Sequence, residues 1–217
     1  MNNKRPFANV NIMEKIDTEE KAYWLGFLYA DGSVGSKEDK IELGLAEKDY
    51  DQLVKFKNFI GLDNKISYRE KTKSYRYCFR SKKFKQDLIK QGCFPKKSLI
   101  LKFPTTKQVP KDLQRHFIRG YFDGDGWFIN TDRSFQVGII GTEDFINGFL
   151  ETLPFLKGNK IFIVHREGGA KRYVFSSKDK VNAFFDYIYK DCNIYLTRKY
   201  EHYLDFIQNG TKYHKNK

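Results

Sequence analysis

The sequence predicts an α+β fold built from two pseudo-symmetric αββαββα repeats, and three observations predict it. A short pattern, G-x-x-x-A/G-D-G, closes two apolar stretches, one over Tyr23–Gly32 and one over Phe117–Gly126. The segments that follow keep step. Asp31 and Asp125 are 94 positions apart, Ala46–Asp49 and Gly141–Asp144 are 95 apart, and Arg76–Phe79 and Arg172–Phe175 are 96 apart, the slow drift that loop insertions leave. Within each copy, helix-period and strand-period stretches then recur in the same order.

Each element has its own signal. Residues 1–17 read as an N-terminal arm, 18–102 as the first repeat, 103–110 as a linker, 111–210 as the second repeat and 211–217 as a basic tail. In the motif helices Gly26 and Ala30, like Gly120 and Gly124, are four apart and share one face. Small residues at that spacing permit close backbone approach. Packed in parallel on these faces, the two helices bring Asp31 and Asp125 to the same end. A hairpin follows each motif, then a helix opened near Asp49 or Asp144, a second hairpin, and a helix over 81–92 or 178–190. Gly35-Ser36, Asp63-Asn64, Gly158-Asn159 and Gly168-Gly169 read as turns between strand-like runs.

The strands predict one buried face each. Ile41, Leu43 and Leu45 alternate with Lys40, Glu42, Gly44 and Ala46; Ile66 and Tyr68 alternate with Lys65, Ser67 and Arg69; Tyr77 and Phe79 alternate with Arg76, Cys78 and Arg80. In the second copy Gly138 and Gly141 are candidate bulge positions that would shift the facing by one residue. Tyr75, Tyr77, Tyr173 and Phe175 sit at strand period with apolar partners and read as core.

The two helix-end acids carry the chemistry. A lone Asp-Gly is ordinarily a turn, and an acid in the last turn of a helix faces the negative end of the macrodipole, at a cost of roughly 0.3–1 kcal/mol. Two such acids call for a compensating partner. Carboxylates Asp31 and Asp125 beside the end carbonyls of Ala30 and Gly124 form an all-oxygen cluster, the ligand set that suits Mg²⁺ or Ca²⁺. Metal ions held between two carboxylates activate water and neutralise phosphate charge, which is what phosphodiester hydrolysis needs. Asp123, an extra acid where the first motif has Tyr29, reads as structural or as a support behind the paired acids.

Composition names the class of partner. The formal charge is +13 with 17% aromatic residues, a balance that points to a polyanion, nucleic acid before membrane. No apolar leader or membrane span is visible, and Cys78, Cys93 and Cys192 lack disulfide or zinc spacing. An intracellular protein is expected, with its compartment open. A basic open sheet face suits the DNA major groove. The candidates there are Lys37, Lys40, Glu42, Lys65, Ser67, Arg69, Lys71, Arg76 and Arg80 in the first copy, and Asn130, Arg133, Gln136, His165, Arg166 and Arg172 in the second.

The paired motifs resemble the two signature motifs of the LAGLIDADG homing endonucleases, in the form that carries both in one polypeptide. The resemblance implies the αββαββα repeat, with the motif helices at the centre and antiparallel sheets forming a DNA-binding saddle. It implies a divalent-metal-dependent double-strand DNA endonuclease, encoded in an intron and acting in intron homing. Such an enzyme reads a long asymmetric site as a monomer and leaves short 3′ overhangs. Mg²⁺ is the implied metal, Mn²⁺ a substitute, and Ca²⁺ a support for binding only. The resemblance also maps a supporting lysine to Lys97 and Lys199, and a polar residue after the second strand to Glu47 and Thr142, where the family often has Gln. Double-stranded DNA is the expected partner, with no obligate protein partner. The alternative is a non-catalytic nucleic-acid binder, either an RNA maturase acting on its host intron or a DNA-binding regulator; retention of both acids favours the enzyme. An intein is disfavoured by the terminal residues.

Overall fold

The computed structural model describes residues 11–158, the strand backbone 161–163, and 169–213. Helix α1 (Glu19–Ala30) starts where the Thr18 hydroxyl caps the Lys21 amide, with Glu19 and Glu20 in its first turn. Both features satisfy a helix N-terminus. Strands β1 (Gly32–Val34) and β2 (Lys40–Ala46), helix α2 (Tyr50–Ile60), strands β3 (Ser67–Arg69) and β4 (Ser74–Arg80) and helix α3 (Lys82–Lys90) complete the first half. The second half runs α4 (Gln114–Asp125), β5 (Gly126–Asn130), β6 (Phe135–Gly141), α5 (Glu143–Thr152), β7 (Ile161–Ile163), β8 (Lys171–Phe175) and α6 (Lys178–Tyr189). Two antiparallel four-stranded sheets result, in the orders β1-β2-β4-β3 and β5-β6-β8-β7. The αββαββα expectation is met twice.

The motif helices form the centre. Residues 22–29 of α1 are all buried, as are 117–123 of α4. A Cβ added to Gly26 would overlap the Phe117 carbonyl, and one added to Gly120 would overlap the Tyr23 carbonyl. The contacting positions rise together along the two helices, from Tyr23 against Gly120 to Ala30 against Gly124, so the helices run parallel. On the sheets' inner faces, α2 covers β2 and β4 while α5 covers β6 and β8. Ile41, Leu43, Leu45, Tyr77 and Phe79 are buried there, as are Val137, Ile139, Tyr173 and Phe175.

Four expectations need correction. A further helix, α7 (Thr197–Asn209), follows α6; its apolar stripe, with Phe206 against Phe128 and Phe185, gives it a place on the second half. Tyr68, expected to be buried, is 45% exposed. It lies on an edge strand beyond the reach of the core and rests on Tyr75. Asp63-Asn64 joins α2 to β3, and the second hairpin turns instead at Glu70–Lys73. Finally, β6 pairs with β5 and β8 in unbroken register through Gly138 and Gly141, so no bulge shifts its facing.

Candidate functional site

Parallel packing delivers both acids to one place. Asp31 caps α1 and Asp125 ends α4, while Ala30 and Gly124 occupy the adjoining turns. A Cβ on Gly124 would lie 3.1 Å from Asp31 Oδ2, so the Asp31 carboxylate reaches over the end of the other helix. The Asp31 residue is exposed at the helix end, yet the protein packed about its carboxylate, then the charge of Asp125, raises its pKa from 3.8 to about 6. Burial raises Asp125 as well. Among the described residues neither carboxylate is taken by an ion pair or side-chain hydrogen bond. Paired acids whose oxygens are not taken up in this way are the donor set a divalent cation fits. No group of three or more His, Cys, Asp and Glu side chains is placed to hold a metal among the described residues.

Two lysines flank the acids. Lys97 donates to the carbonyl of Gly32, the residue after Asp31. Lys199, in the first turn of α7, donates to the carbonyls of Phe122 (2.5 Å) and Gly126 (2.6 Å), and Gly126 follows Asp125. The two lysines therefore grip equivalent glycines. Burial lowers the Lys199 pKa to about 8, against the pull of Asp123. Asp31 is favoured most by the charge of Lys199 and Asp125 most by that of Lys97, each the lysine of the other half.

The remaining candidates divide. Glu47 is exposed in the turn after β2. Thr142 caps α5 through the Phe145 amide (3.0 Å) and donates to the Leu101 carbonyl, so its hydroxyl is already engaged. Lys40 and Arg76 both pair with Glu42, at 2.7 and 2.6 Å, on the outer face of the first sheet. Ser67 and Arg69 share that face, Arg80 pairs with Glu38, and Lys37, Lys65 and Lys71 are exposed. In the second half Gln136 and Arg172 are on the outer face and Arg133 is exposed in the β5–β6 turn. Asn130 is a correction: it shares the inner row of Phe135, and its amide holds the Gly210 carbonyl and the Lys212 amide. His165 and Arg166 lie outside the described residues.

A buried polar network escaped the sequence reading. Asp123 accepts from Tyr23 Oη (2.8 Å), Tyr189 Oη (2.6 Å) and the Leu196 amide (2.7 Å), which fits its structural assignment. Arg119, fully buried, donates to Glu19 (2.6 Å) and to the carbonyls of Ile188 and Ile194. The available signal was an arginine inside an apolar helix, between Ile118 and Gly120, where a charge needs partners.

No family model and no curated protein matches the sequence. Solved structures do match. The I-LtrWI LAGLIDADG homing endonuclease bound to target DNA is 12% identical, with a TM-score of 0.58 over 92% of this chain and 90% of that one. Meganuclease I-SmaMI bound to uncleaveable DNA is 14% identical, with a TM-score of 0.60 over 88% and 90%. LAGLIDADG meganuclease I-AabMI bound to uncleaved DNA gives 14% and 0.56 over 87% and 89%. The chain has the LAGLIDADG homing-endonuclease fold, with both motif helices in one polypeptide.

Proposed function

We propose that this chain is a site-specific, divalent-metal-dependent endonuclease that hydrolyses both strands of a long, asymmetric DNA site. The observation that carries the reading is the Asp31–Asp125 pair, held at parallel helix ends with no direct ion-pair partner among the described residues. Support comes from the fold, whose similar structures include I-SmaMI bound to an uncleaved DNA target in the presence of calcium ions. Asp31 and Asp125 would hold Mg²⁺, with Mn²⁺ as a substitute and the carbonyls of Ala30 and Gly124 completing the oxygen set. The ion would supply charge neutralisation at the scissile phosphate and a water acidified for attack. Lys97 and Lys199 stabilise negative charge as it develops on the phosphate. Two of Lys199's three N–H donors are engaged by carbonyls, which fixes its amine and leaves one for the phosphate.

Each acid serves the strand nearest to it, so one chain suffices and acts as a monomer. The outer sheet faces carry Lys40, Glu42, Arg76, Gln136 and Arg172 to the major groove. Cleavage leaves short 3′ overhangs, and the gene belongs to an intron whose homing it drives. The test is Asp31→Asn and Asp125→Asn on DNA selected by the wild-type protein, with Mg²⁺ present. Each should abolish double-strand cleavage while binding in Ca²⁺ survives. Wild-type binding without any cleavage would instead favour a maturase or regulator, and unchanged cleavage in either variant would reduce the two acids to helix caps.

A further inference from the structure

The two outer sheet faces, related by the repeat, differ in chemistry. Ladder register makes the row Ser33–Glu42–Cys78 equivalent to Trp127–Gly138–Val174, and the pair Gly44–Arg76 equivalent to Ile140–Arg172. In the first half the row is polar and ion-paired, with Glu42 between Lys40 and Arg76. In the second half the place of Glu42 is empty of side chain. A Cβ at Gly138 would overlap the six-membered ring of Trp127, so glycine is there because the indole crosses the sheet at that point. Val174 beside it is half-buried, and Ile140 is 39% exposed. The Tyr121 hydroxyl, donating to the Ile140 carbonyl at 2.7 Å, ties this strand to α4. The result is a rigid apolar platform that begins two residues after Asp125.

Its surroundings say what covers it. The platform starts on the strand that leaves Asp125, and the exposed Arg172 flanks Ile140. The equivalent surface of the first half is polar and charged. In the DNA major groove the one apolar group on any base edge is the C5-methyl of thymine. We propose that Trp127, Ile140 and Val174 make the second half a reader of thymine methyl groups close to the cleavage centre, while the first half reads its base pairs by hydrogen bonds that Glu42 accepts and its cationic neighbours donate. The inference rests on the endonuclease reading and adds which chemistry distinguishes the two half-sites.

The test begins with duplexes enriched by the wild-type chain from a randomised pool in Ca²⁺. Each thymine is then replaced by deoxyuridine, which removes only the methyl, one half-site at a time. Binding should weaken about fourfold per contacted methyl in one half-site, the equivalent of about 0.8 kcal/mol for one buried carbon, and stay unchanged in the other. In Ile140→Ala and Trp127→Ala that loss should disappear, which also identifies the half-site under the second sheet. Ile140 is a surface residue, so its variant keeps the cycle readable if removal of the indole prevents folding. Failure to enrich any sequence would count against the endonuclease reading itself. An enriched site in which deoxyuridine is neutral throughout, a site without thymine near its centre, or a methyl effect that persists in Ile140→Ala would overturn the inference alone.

Discussion

Asp31 and Asp123 show how environment divides two acids of the same helix pair. Asp123 is buried among three donors, Tyr23, Tyr189 and the Leu196 amide, and so ties α1, α4, α6 and the segment before α7 together. Asp123→Ala leaves these buried neutral donors without their acceptor and should lower stability by about 1–3 kcal/mol for each donor left unpaired, as a reduced urea midpoint would record. Asp31 has no such donors, and its pKa of about 6 stands above the ordinary 3.8. Between those values the folded chain holds a proton that the unfolded chain has lost. Stability therefore falls as pH rises through that window, and the charged carboxylate is a net cost above it. In metal-free buffer at pH 8, Asp31→Asn should raise stability by about 1 kcal/mol, a discounted figure because solvent reaches the group, or about 2–4 °C in Tm. The gain should vanish toward pH 4. A pH-independent change would show that burial and the charge of Asp125 do not penalise the Asp31 carboxylate in the folded chain.

At the scale of elements, the contact between α1 and α4 sets the distance between the acids. Gly26 and Gly120 each meet a backbone carbonyl of the partner helix, leaving no room for a methyl group. Gly120→Ala should separate the helices and cost about 1–3 kcal/mol of overpacking strain. Because Asp31 and Asp125 sit at the ends of those helices, DNA cleavage should drop more steeply than the folded fraction measured by circular dichroism. Proportional losses would mean that the acids tolerate separation.

For the whole molecule, a net charge of +13 sets the salt response. If about ten phosphates are neutralised, the slope of log K against log salt is near minus nine. Titration of binding to the selected duplex from low to moderate salt measures it. A slope shallower than about minus three would place the basic residues away from DNA. Among the described residues no helix is long and apolar enough to cross a membrane.

Local pattern was enough to determine a great deal. The repeated motif fixes two helices with small faces and terminal acids, and strand alternation fixes which side of β2 and β4 is buried, because both follow from the 3.6- and 2-residue periods of the backbone itself. Tertiary structure decided what those periods do not encode. Asn130 turned inward because its row in β5 is set by pairing with Phe135, and Tyr68 stayed exposed because its strand lies at a sheet edge. The conflict over Gly138 was settled by a neighbour across the ladder, Trp127, whose ring occupies the space that suggested a bulge. Lys97 and Lys199 could be aligned by resemblance, yet their shared grip on the glycines after the two acids exists only once residues 65 and 73 positions apart are brought together. Such contacts depend on chain segments that are remote in sequence, and only packing chooses among the many residues able to fill them.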